Sequence, residues 1–108
     1  MNTFEPGSSH TATLRVKSNS TIVMDFDVVL WLGRAPTEQA AVAQASVTVS
    51  PDETKAVALT LVAPVIQDLF SVYVDIYHEG SLVVSYIATE PVRVYATPSI
   101  QIIDITWS

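Results

Sequence analysis

The sequence contains no cysteine, only three glycines and only five basic residues, Arg15, Lys17, Arg34, Lys55 and Arg93. Without cysteine there are no disulfide staples and no thiolate metal sites, so a hydrophobic core alone must hold the fold. The five cations are scattered among eleven acidic residues, for a net charge of -6. Such a surface repels a phosphate backbone, and no nucleic-acid partner is expected. The chain also lacks any apolar run of the roughly 18 residues needed to span a bilayer, so no membrane insertion is expected. Its first residues, MNTFEPGSSH, have neither the basic start nor the apolar stretch of a signal peptide. An exported form would have lost its signal or would be part of a longer chain.

What is abundant is β-branched residues within a 49% hydrophobic composition, which favours strands over helices. A chain of 108 residues fits one domain, able to bury roughly 65% of the surface that its unfolded form exposes. Alternation of apolar and polar side chains marks the strands. Ala12, Leu14 and Val16 share one face of Thr11 to Ser18. Along Thr21 to Leu32, Ile22, Met24, Phe26, Val28, Leu30 and Leu32 alternate with Val23, Asp25, Asp27, Val29 and Trp31. Gly33 to Gln39 breaks the pattern and reads as a loop. Ala40 to Ala45 is too short for a stable isolated helix and reads equally as strand or turn.

Strands resume at Val47 and Val49, at Val57, Leu59 and Leu61, and at Phe70, Val72, Val74 and Ile76. His78 to Ser81 is a hairpin loop leading to Leu82 to Ala88, and a short strand, Val92 to Tyr95, follows. About seven short strands with no helical pattern predict an all-β, immunoglobulin-like, two-sheet antiparallel sandwich. Residues 1–9 read as a linker leading into the fold and 10–95 as the sandwich.

Residues 96–108 stand apart. Ile100 and Ile102 occupy one parity, and Ile103, Ile105 and Trp107 the other. A segment apolar on both parities needs cover on both sides. It reads as the first strand of a following module, as a strand donated to a neighbour, or as an added strand of this sheet.

Several turns and strands, in order, resemble a known family: Phe4-Glu5-Pro6-Gly7, Val16-Lys17-Ser18-Asn19-Ser20, Val49-Ser50-Pro51-Asp52-Glu53-Thr54 ahead of Lys55 to Val62, then Pro64 and Phe70 to Tyr77. Together they are similar to bacterial and archaeal immunoglobulin-like modules of the CARDB-like, cell-adhesion-related type. Asp52 and Asp68 stand where that pattern usually has Gly, and Phe70 where Tyr is common. The resemblance implies a non-catalytic module of an extracellular, cell-surface or virion protein.

Candidate sites are few. His10 and His78 have no His or Cys partner at metal-ligand spacing, and neither a Gly-x-Ser-x-Gly elbow nor a Gly-rich phosphate loop occurs, so no enzyme, metal or cofactor is expected. Asp25, Asp27 and Asp75 supply too few oxygens for calcium and read as a solvated face. Asn19-Ser20-Thr21 matches the N-glycosylation pattern.

Tyr73 and Tyr77 share an outer face, Trp31 falls on an outward parity, and Tyr86 joins them if its parity matches. Such a face serves as cross-strand pairing, as an anchor for a protein, or as a stacking platform for a glycan. The expected contacts are therefore Trp31, Tyr73, Tyr77 and Tyr86 together with Ile103, Ile105 and Trp107. The expected partner is a protein, or a second copy met through the C-terminal segment, with a glycan as the alternative.

Overall fold

The computed structural model describes residues 2–108, and Met1 lies outside the described residues. Eight strands and no helix are found there: β1 Asn2–Phe4, β2 Ser9–Lys17, β3 Met24–Gly33, β4 Ala41–Val49, β5 Thr54–Val62, β6 Asp68–His78, β7 Ser81–Ile87 and β8 Val92–Val94. They form two unequal layers. The larger sheet runs β1-β8-β6-β3-β4, with β7 also paired to β6, and the smaller consists of β2 and β5 alone.

The core lies between β5 and the inner face of the larger sheet. Val57, Leu59 and Leu61 meet Val28, Leu30, Leu32, Phe70, Val74, Val92 and Val94, and all are buried. These are the inward parities predicted for β3, β5 and β6. β2 contributes Ala12, Leu14 and Val16 only as half-buried side chains, because no strand among the described residues flanks its outer edge.

Two local features differ from the expectation, and a third decides between readings left open. Within the stretch read as a linker, Asn2–Phe4 forms β1 and pairs with β8 in parallel, so the sandwich is not wholly antiparallel. Pro6-Gly7, with Gly7 at φ 73°, then carries the chain across to the smaller sheet, and Phe4 stacks on His10 with ring centroids 3.6 Å apart. Three residues are too short a run for alternation to register. The open choice between strand and turn is decided at Ala41–Val49, one continuous strand held in nine consecutive pairs by β3 from Met24↔Val49 to Leu32↔Ala41. The alanines that suggest helix in isolation are chosen by the neighbouring strand. The other difference is that the long strand begins at Met24, not Thr21, and Ile22 and Val23 are exposed.

The turns follow their residues. Glu79 (φ 51°) and Gly80 (φ 80°) form a two-residue hairpin loop between His78 and Ser81, the positive-φ pair whose twist matches that of the flanking strands. The turn after β4 places Asp52 at φ 61°. This is the left-handed region where the resembling pattern carries Gly, and Asp tolerates it better than most residues.

Candidate functional site

The aromatic residues divide between two surfaces. On the outer face of the larger sheet Trp31 pairs with Tyr73 across β3 and β6, their rings stacked at 5.1 Å and 16°. Both are buried, at 6% and 8% exposure. The Trp31 indole N–H reaches no acceptor among the described residues. Next to them, the 34–40 loop folds back over Gly33: Ala40 N–H bonds to Leu32 O at 2.8 Å, and a Cβ on Gly33 would stand 2.1 Å from Glu38 O. Arg34 clips this loop in place. It donates to the Glu38 carboxylate from Nε at 3.0 Å and reaches Asp68 Oδ2 at 3.4 Å.

Tyr86 does not join this face. Across the hairpin it stands opposite Val74, a core residue, whereas Ile87 stands opposite Tyr73. The parity thus fails to match, and Tyr86 belongs to the inner side. Of the aromatics expected to form an outer platform, Trp31 and Tyr73 are closed off, Tyr77 is half-buried opposite Asp27, and Tyr86 is on the other side. They make no continuous stacking surface.

The outer aspartates are each engaged by a hydroxyl on an adjacent strand. Thr48 donates to Asp25, Ser46 to Asp27 at 2.7 Å, and Ser85 to Asp75 at 2.6 Å. Among the described residues no cluster of three or more His, Cys, Asp or Glu side chains is arranged to hold a metal ion.

On its inner side β7 has little above it. The smaller sheet has only two strands, so Val84 and Tyr86, inward by register, remain 47% and 54% exposed. Val83 falls in a bulge where the register shifts between Ile76 and Tyr77, and all seven residues of β7 are exposed. Among the described residues β7 pairs with β6 alone, leaving its other edge free. Two apolar recesses open between β2 and β7. One of ≈ 430 Å³ is lined by Val16, Phe26, Ile76 and Val84, and one of ≈ 390 Å³ by Ala12, Leu30, Val72 and Tyr86.

The C-terminal segment makes none of these contacts. Ile100, Ile102, Ile103, Ile105 and Trp107 are 70–97% exposed. The molecule measures 81 × 24 × 21 Å, the long dimension of an extended arm. Its root is fastened: Ala96 N–H donates to Gln67 Oε1 at 3.0 Å, and the Thr97 hydroxyl to Glu5 Oε1 at 2.7 Å. Of the expected contact residues, the structure thus brings together Trp31 with Tyr73, and Ile103 and Ile105 with Trp107 on one arm. The β7 edge is the surface that the sequence reading omits. Its signal was Ser81 to Ile87, a strand without charge on either parity.

Comparison with known proteins supports the architecture. A PapD-like (ASH) domain of human CEP192, its PapD-like domain 7, superimposes with a TM-score of 0.50 at 10% sequence identity, over 91% of this chain and 84% of that one. The fold is immunoglobulin-like. No family model matches the sequence, and no similar curated protein was found.

Proposed function

We propose that the protein is a non-catalytic immunoglobulin-like interaction module that assembles larger structures through its C-terminal arm. One observation carries this reading. Five large apolar side chains, including Trp107, stand in solvent on an arm whose root is hydrogen-bonded to the body, and none of them belongs to the buried core. Contiguous exposed apolar surface of this kind marks an interaction site. An extended segment with unpaired backbone is suited to strand addition, in which main-chain hydrogen bonds give affinity and alternate side chains fill pockets.

The resemblance in the turn residues to CARDB-like modules supports a setting in a surface, secreted or virion protein, where such modules space, adhere or assemble. The immunoglobulin-like fold is consistent with an interaction role of this kind. The outer aromatic face is the weaker candidate for contact, because Trp31 and Tyr73 are stacked on each other and buried.

Sedimentation equilibrium on the full chain beside a form ending at Tyr95 tests the proposal. The full chain is expected to associate and the shortened form to remain monomeric. Identical behaviour of the two as monomers would remove the arm from the function.

A further inference from the structure

We propose that the arm of one copy adds as a strand to the free edge of β7 in a second copy, closing the recesses between β2 and β7. This names the receiving site for the assembly reading above and rests on it.

The two features complement each other. β7 offers seven residues of unpaired backbone edge, with no charged side chain and no proline to guard it. Natural edges that stay free are commonly guarded by charge, proline, bulges or cover; β7 carries the bulge at Val83 but neither of the first two, and Ser85 to Ile87 beyond the bulge keep a regular register with β6. The arm offers Ser99 to Trp107 in extended form, its one charge, Asp104, turned back onto its own Ile105 N–H at 2.7 Å.

Their side-chain patterns also agree. β7 presents apolar groups on both faces, Val84 and Tyr86 toward the recesses and Leu82 and Ile87 outward. A strand lying against it must therefore be apolar on both parities, as the arm is. The face bearing Ile103, Ile105 and Trp107 suits the recesses, and the face bearing Ile100 and Ile102 suits the outer side.

A second copy is required because the arm's own edge is closed to it. β8 continues the line of β7 along β6, and β1 occupies the outer edge of β8 from Val92 to Val94. Tyr95 N–H bonds to Phe4 O at 3.0 Å, and Thr97 is tied to Glu5 just beyond. An arm turning back would have to pass outside β1 before reaching β7. Donation to the next copy leaves that copy's own arm free, so the contact is of the head-to-tail kind.

A complementation experiment on the full chain tests this. Val84→Lys disables the receiving edge and keeps the arm; Ile103→Asp with Ile105→Asp disables the arm and keeps the edge. All three positions are exposed or half-exposed, and unchanged circular dichroism spectra check that both variants fold. In analytical ultracentrifugation each variant alone is expected to associate at least about tenfold more weakly than the wild type, since charge on an edge strand opposes pairing. Mixed, they are expected to form a complex of two chains, one arm in one edge. Tyr86→Lys in place of Val84→Lys should behave the same way.

A mixture that stays monomeric overturns the proposal. So does a Val84→Lys chain that assembles as the wild type does, which would leave the arm as an assembly segment but move its receptor elsewhere. A wild-type chain that is monomeric at every concentration overturns this inference and the assembly reading together.

Discussion

Trp31 and Tyr73 face each other across β3 and β6 and are stacked and buried on the side of the sheet that alternation assigns to solvent. Trp31→Ala should destabilise the fold by about 3–5 kcal/mol, the range for large aromatic truncations in a packed setting. Trp31→Phe should cost less, because the indole N–H has no acceptor among the described residues to lose. Urea denaturation of both, with Tyr73→Ala in a double-mutant cycle, should give a coupling of about 0.5–1.5 kcal/mol for the stacked pair. A Trp31→Ala chain as stable as the wild type would show that the pair is peripheral.

Gly33 is held by space, not by backbone angle. Its absent side chain makes room for Glu38 O and Ala35 O, which a Cβ would meet at 2.1 and 3.0 Å. Gly33→Ala should therefore lower stability by about 1–3 kcal/mol, with backbone in the way and no flexible side chain to yield. A thermal melt would register this as a lowered Tm.

The alternating strands were legible in the sequence because period two is a local property. Val28, Leu30, Leu32, Val57, Leu59, Leu61, Phe70 and Val74 lie inside as their parity requires. The side on which Tyr86 falls was not legible. It depends on the two-residue turn at Glu79-Gly80 and on the bulge at Ile76/Tyr77, which set the register between strands. The depth of Trp31 was equally hidden, since parity specifies a direction but not what covers it. The β7 surface required knowing that the opposing sheet stops at two strands, a property of the assembled layers.

Asp52 occupies a left-handed conformation at φ 61°. Asp52→Gly should stabilise the protein by a few tenths to about 1 kcal/mol, relieving a steric penalty at the cost of some unfolded-state entropy. Chemical denaturation would show a raised midpoint with an unchanged slope. A lowered midpoint would mean that the Asp side chain contributes more to the turn than its backbone strain removes.

The hydrogen bonds that Arg34 makes through its side chain and its backbone N–H hold the Glu38 carboxyl below the ordinary glutamate range. A depressed folded-state pKa contributes stability that is complete above the unfolded value and is lost as pH falls through the folded one. The pair is exposed, so the effect on global stability is small. An NMR titration should find Glu38 protonating at lower pH than the free residue, and Arg34→Gln should move it back up.

The parallel pairing of β1 with β8 has a mechanical meaning. A load applied at the two chain ends pulls β1 toward its start and β8 toward its finish, so the bonds from Asn2↔Val92 to Phe4↔Val94 and from Tyr95 to Phe4 lie across the force and are loaded in shear. Bonds loaded in shear must break together, whereas a strand peeled from an edge releases them one at a time. Single-molecule pulling should show one high rupture peak, reduced when Phe4→Pro removes part of that contact. In a chain of such units under tension, this short parallel clasp is the part that would bear the strain first.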